Sequence, residues 1–285
     1  MKNFLFWFFA VLITITAVIY QRLTGPTNPK RVKFTIENID YKVKFPRTSE
    51  TLVTLTEAVQ KNIQERYSKL EFKVNPVLQD NFTIKILFKR YPSGDSLQQI
   101  EAINNNGVYS FDFPSQPPAG KLIYYPVLVK DGSEVVLSEE EGVIIRFKSP
   151  VPSFVLIPHI LLMFIAMLLA NYSGITAFYR YEKSLKYAYL VLIALGLGGL
   201  ILGPIVQKYA FGAFWTGWPF GEDLTDNKTL VAFLFWVAAL ALNRTKPRKY
   251  LLILAAVVTL MVYCIPHSTG GSEYDHEKGA VVSGR

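Results

Sequence analysis

The sequence predicts a helical membrane bundle, an N-terminal anchor plus a four-helix core, with an all-β sandwich inserted between them. Three observations carry that class. Of 285 residues, 51% are hydrophobic and only 18% charged, and the mean hydropathy is +0.24. That balance suits a membrane protein with a sizeable soluble part. Apolar runs begin near Phe4, Val151, Tyr187, Leu230 and Tyr250, each flanked by polar or basic residues. Between the first run and the second, residues 32–150 turn into short alternating segments bounded by turn formers.

Residues 1–21 form the anchor. Phe4 to Tyr20 carries no charge and is about long enough to cross a bilayer with help from its flanks. No small-residue cleavage site follows before Gln21-Arg22-Leu23, so an uncleaved anchor is expected rather than a signal peptide. Residues 32–150 contain VKFTIENIDYKVKFP, FTIKILFKRYP, GVYSFDFP, KLIYYPVLVKDG and GVIIRFKSP. These β-branched and aromatic runs, bounded by Pro, Gly, Asn or Asp, are the pattern of a small antiparallel sandwich. Residues 108–132 resemble two successive strands of an immunoglobulin-like domain joined by a Pro-rich turn, and such domains usually bind or position a partner. The segment has neither His nor Cys, and no catalytic constellation is visible in it.

Residues 151–267 supply four further spans. The third contains LGLGGLILG, where Gly199 and Gly203 form a small-xxx-small pair that lets helices approach closely. The glycines follow no strand and sit in an apolar helix, which favours packing over a phosphate loop. The fourth span, from Leu230 to Leu242, is short unless its helix begins earlier. The tail, 268–285, is polar and Gly-rich and is expected to be disordered.

The net charge of +8 does not point to nucleic acid, because the basic residues cluster beside apolar runs, where they set topology. Arg180, Lys183 and Lys186, and then Arg244, Lys246, Arg248 and Lys249, mark two cytoplasmic turns. Counting from these, the amino terminus is cytoplasmic, and the sandwich and tail are extracytoplasmic. The basic loop after the first span is the one feature that objects. The expected location is the plasma (inner) membrane, multi-pass, with the lipid bilayer as partner and a protein partner possible for the sandwich.

Residues 209–229 lie between two spans and hold Phe214, Trp215, Trp218 and Phe220 among glycines and a proline. Such rings favour the membrane boundary and predict a flat apolar shelf there. His159 and His267 each follow a proline, and the topology brings both to the shelf's side. Neutral imidazole is a common metal ligand and binds haem iron axially, in which case two ring nitrogens come on the order of 4 Å apart. The lone Cys264 excludes an intrachain disulfide and a C-x-x-C-H attachment site, so any haem would be non-covalent.

Residues 153–269 resemble the core of the tryptophan-rich haem-handling membrane proteins of cytochrome c assembly. The similarity runs through His159-Ile160-Leu161-Leu162-Met163, Gly203, Phe211-Gly212-Ala213-Phe214-Trp215, Trp218, Ala232 to Trp236, and His267-Ser268. The chain departs from that pattern at Phe211, where the family has a tryptophan. It departs again at Gly217, and after Trp218, where no Asp follows directly. The resemblance implies haem held by His159 and His267, with Phe214, Trp215 and Trp218 covering the ring and Lys208 pairing with a propionate. Glu222, Asp223 and Asp226 would orient a ligand imidazole. It implies haem binding, for haem handling or electron transfer, more directly than cytochrome c synthesis. Two alternatives stand beside it: a divalent-metal site of the two histidines with those acids, and a membrane-anchored adaptor whose sandwich binds a partner.

Overall fold

The computed structural model describes residues 2–60, 66–138, 141–266 and 269–283. The chain forms two compact units: Met1–Pro26, Val151–Ser272 and Ser283–Arg285 in one, Thr27–Pro150 and Glu273–Val282 in the other. Helix α1 (Lys2–Thr24) precedes strands β1 (Lys30–Ile36), β2 (Ile39–Phe45) and β3 (Thr48–Glu50). A short helix α2 (Leu55–Gln60) separates these from β4 (Tyr67–Asn75), β5 (Thr83–Arg90), β6 (Gln98–Glu101) and β7 (Ile103–Asn105). Strands β8 (Val108–Pro114), β9 (Lys121–Lys130), β10 (Ser133–Val136) and β11 (Val143–Lys148) follow. The remaining helices are α3 (Ser153–Thr176), α4 (Tyr181–Leu195), a π-helical stretch (Gly196–Leu202), α5 (Gly203–Phe211), α6 (Leu224–Asn243) and α7 (Lys249–Cys264). Strands β12 (Glu273–Asp275) and β13 (Ala280–Val282) end the chain.

In the β unit, one sheet has the order β1-β2-β4-β8-β7 and the other β3-β11-β9-β5-β6, with β10 on β9. Period-2 patterning sets which faces meet. Along β4, Ser68, Leu70, Phe72 and Val74 are buried while Lys69, Glu71 and Lys73 face out. Rings from the two sheets interlock: Phe88 and Phe113 lie 4.9 Å apart between centroids, and Phe113 and Tyr124 5.4 Å. Each fully buried apolar side chain of this kind contributes roughly 1.5–3 kcal/mol. Tyr124 is fully buried, and its hydroxyl donates to the Pro46 carbonyl at 2.7 Å. Burial pushes that phenol well above its ordinary pKa, which keeps it a donor.

The tail differs from the expectation of disorder. Residues 273–282 form an antiparallel hairpin, with Tyr274 opposite Val281, and they belong to the β unit. Glu273 pairs with Lys121 at 3.0 Å, and the Tyr274 N–H donates to the Ala119 carbonyl at 3.2 Å. The turn is closed by Asp275, whose carboxylate accepts from the Glu277 and Lys278 N–H groups, and by Gly279 at φ +63°. Local composition does not register a partner about 150 positions upstream.

Among the described residues of the helical unit, four helices are long and apolar enough to cross a membrane: Asn3–Thr24, Ser153–Thr176, Tyr181–Phe211 and Leu224–Asn243. A shorter apolar helix, Lys249–Cys264, packs with them. Small residues line the core, among them Ala166, Ala170, Ala188, Ala232 and Ala255, and they let backbones approach. A Cβ on Gly174 would lie 2.6 Å from that of Ala256. Large apolar side chains such as Phe154, Leu161, Ile193 and Leu234 face outward. The basic turns gather at one end, where Arg180 bonds Asn3 and the Tyr181 hydroxyl bonds Asn243 at 2.7 Å.

The aromatic segment 209–229 is not a continuous shelf. Its first residues finish α5, residues 212–223 connect, and α6 starts at Leu224 rather than Leu230, capped by Asp223.

Two outcomes are expected in the β unit of the full chain. Tyr124→Phe leaves the Pro46 carbonyl unsatisfied and should lower the opening free energy of β9 amides by about 1–3 kcal/mol in hydrogen exchange; unchanged protection would mean the bond contributes nothing. His276 packs edge-on against Tyr274 at 5.0 Å, and burial, followed by Arg90, lowers its pKa. The unfolded chain therefore takes up that proton first as pH falls through about 6.5. Hairpin stability, intact above that value, should decline below it, and His276→Gln should flatten the dependence of β12 and β13 exchange on pH.

Candidate functional site

The described residues of the expected site lie at the end of the helical unit opposite the basic turns. α3 enters there with Pro158 inside its second turn, and His159 is half-buried. Its Nδ1 lies 2.8 Å from the Gly198 carbonyl oxygen. A carbonyl only accepts, so Nδ1 carries the proton and Nε2 of the neutral ring carries the lone pair. Gly198 sits in the π-helical stretch and also accepts the Gly203 N–H. Glycine is required there: a Cβ on Gly198 would lie 2.7 Å from Leu162 Cβ, and one on Gly199 would lie 2.6 Å from Thr229 Cγ2. His267 and Ser268 lie outside the described residues. Two residues before His267, the Ile265 carbonyl accepts from Lys228 Nζ at 2.9 Å and faces Gln21 Nε2 at 3.5 Å.

The aromatic residues divide by exposure. Trp215 is half-buried, and its indole N–H donates to the Trp218 carbonyl at 3.0 Å. Phe214, Trp218 and Phe220 are exposed by 57%, 68% and 83%. Asn227 holds the loop beneath them by accepting the Trp218 N–H at 2.6 Å. Lys208, expected to meet a propionate, donates to the Gly212 carbonyl at 2.7 Å at the end of α5 and lies 5.4 Å from the Phe214 ring.

The acids divide likewise. Glu222 is exposed. Asp223 and Asp226 are 2% and 6% exposed, and their described partners include no imidazole. Asp223 Oδ1 accepts the Thr225 N–H at 2.8 Å, and its Oδ2 accepts from the Thr216 and Ser272 hydroxyls at 2.8 and 2.9 Å. Asp226 Oδ2 accepts the N–H groups of Thr216 and Gly217 at 2.7 and 3.0 Å. These bonds offset the cost of desolvating carboxylates beside apolar helices. Gln207 completes the group. Either its amide nitrogen donates to Asp226 Oδ1 at 2.8 Å and its oxygen takes the proton of one of the two hydroxyls in place of Asp223, or its nitrogen donates to both hydroxyls, which keep their protons on Asp223, and Asp226 itself holds a proton. Among the described residues, no group of three or more His, Cys, Asp or Glu converges as metal ligands do.

Sequence reasoning missed Gln207, Thr216, Asn227, Lys228 and Ser272. The available signal was a glutamine inside the apolar GPIVQKYAF and an Asp-x-x-Asp spacing at a helix start. The chain was compared with protein-family models, with curated proteins and with solved structures, and none of the three finds a match.

Replacing the Gln207 amide by a hydrocarbon strips Asp226 and two hydroxyls of a partner. Gln207→Leu should therefore lower the thermal stability of the detergent-solubilised chain, by about 1–3 kcal/mol. A variant melting with the parent would place the amide outside this network.

Proposed function

We propose that the chain is a multi-pass protein of the plasma (inner) membrane that binds haem non-covalently through His159 and His267. In this reading its amino terminus is cytoplasmic, and an immunoglobulin-like β unit and the carboxyl terminus are extracytoplasmic. The observation that carries the reading is the Nδ1–H of His159 on the Gly198 carbonyl. Ligating imidazoles are held in this way, with one ring nitrogen tied to a backbone oxygen and the other left basic. The basic turns at one end support the orientation, and the exposed Phe214, Trp218 and Phe220 suit the opposite membrane boundary.

Bound haem would supply an iron able to take two imidazoles and carry one electron. The chain's own residues fix the ligand ring through Gly198 and set the depth of His159 through the Gly198–Leu162 approach. They hold Trp215 through its bond to Trp218. Lys208 keeps donors beyond the one used on Gly212, enough to meet a propionate. The resemblance to haem-handling proteins of cytochrome c assembly points the same way and leaves haem handling and electron transfer as the two uses.

One observation favours the adaptor reading instead. Asp223 and Asp226 are satisfied by neighbouring groups, so the helical unit is stable in principle as a plain anchor for the β unit. The same bonds take away support for a His and carboxylate divalent-metal site.

The full chain, purified after expression with haem supplied, should show a Soret band and the low-spin signature of two axial imidazoles in electron paramagnetic resonance. His159→Ala and His267→Ala should each abolish that signature. A colourless protein that takes up no added haem, or a spectrum indifferent to both substitutions, sinks the haem reading and leaves the adaptor.

A further inference from the structure

The β unit holds a cleft of about 510 Å³ whose lining includes Lys30, Arg47, Tyr91, Ile123, Glu141 and Gly142. That volume lies in the range of small-molecule sites. Arg47 is the unusual member. Its side chain has no hydrogen bond or ion pair among the described residues, and its Nε is buried and unsatisfied. Native proteins pair buried guanidinium donors, because an unpaired one loses its water without replacement. Burial lowers the Arg47 pKa from its ordinary value, and the nearby Tyr124 phenol opposes that shift only in part. The backbone beside it is fixed on both sides: the Arg47 carbonyl accepts the Arg146 N–H at 3.1 Å, and the Pro46 carbonyl accepts the Tyr124 hydroxyl. Arg47 thus lies in the link between β2 and β3, on backbone tied to β11 and β9.

Other parts of the lining are tied to the backbone as well. Lys30 Nζ is held by the Ser138 and Gly142 carbonyls at 2.9 and 3.3 Å, which keeps its charge at the cleft. Gly142, just before β11, adopts φ +64°, and a Cβ there would come within 2.7 Å of Tyr125 Cε1 and 3.0 Å of Ile123 Cγ1, so glycine lets this turn lie close against those side chains. The described lining carries Lys30, Arg47 and Glu141 as its charged members. Tyr91 and Ile123 add an aromatic and an aliphatic surface.

We propose that this cleft binds a small organic acid, its carboxylate on the Arg47 guanidinium and its apolar body against Tyr91 and Ile123. A planar guanidinium offers paired donors that match a carboxylate, and Lys30 adds attraction without needing a free donor. The site is independent of the haem reading and stands or falls separately.

The test is calorimetric titration of the full chain in neutral detergent with butanoate, and with butylammonium as a probe of similar body and opposite charge. Butanoate should bind saturably and butylammonium should not. Arg47→Gln should weaken butanoate by about tenfold or more, while Lys44→Gln, which removes an equal charge from the exposed face of β2, should leave it unchanged. Glu141→Gln removes the opposing charge and should tighten binding. No saturable butanoate binding, or equal affinity in Arg47→Gln, overturns the proposal. Should Arg47→Gln fail to fold, unchanged or weaker affinity in Glu141→Gln overturns it.

Discussion

Two buried carboxylates must be kept satisfied at one end of the helical unit. Asp226 meets that demand by taking the Thr216 and Gly217 N–H groups, and Asp223 by capping α6 and taking two hydroxyls. The rest of that end follows. With Thr216 and Gly217 pinned, residues 212–223 have little freedom, and Trp215 is turned inward while Phe214, Trp218 and Phe220 are left on the outside. Gly217 cannot be larger, because a Cβ there would lie 2.6 Å from Asp226 Cβ. The aromatic display is thus a consequence of where the acids sit, and the energetic stake is that of buried polar groups, which are costly to leave without partners.

Much of the architecture was legible because it rests on periodicity. The apolar runs read as helices, and the β4 alternation Ser68, Leu70, Phe72, Val74 reads as a strand half facing a core. The start of α6 was not legible in the same way. Asp223 and Asp226 were expected to orient a ligand, and the helix to start at Leu230 or earlier; the structure buries both acids and Lys228 at the start of α6. Charge in sequence signals water by default, and only the partners Thr216, Ser272 and Ile265 reverse that inference. The hairpin at 273–282 was hidden for a related reason: its stability comes from Lys121 and Ala119, distant in sequence.

The candidate site divides along the same line. His159 stood out because an imidazole in an apolar run is costly without a task or a partner, and its partner is a backbone carbonyl that no sequence pattern announces. Lys208, Asp223 and Asp226 were expected to serve a ligand and serve the fold among the described residues. The charged groups nearest an expected site are often those that a helix end needs for itself.

The glycine run Leu195 to Gly203 ties these points together. Read as sequence it is a packing device, and Gly198 and Gly199 do let α3 and α6 approach to distances a Cβ would forbid. The same residues form the π-helical stretch, whose hydrogen bonds reach one residue further along the chain than those of an α-helix. The carbonyl of Gly198 then serves both the Gly203 N–H and the His159 ring. Close approach and histidine orientation therefore have one structural cause. Any substitution that straightens this stretch into a regular α-helix changes the approach of α3 and the acceptor of His159 together, so the packing of the helices and the set of the imidazole cannot vary independently.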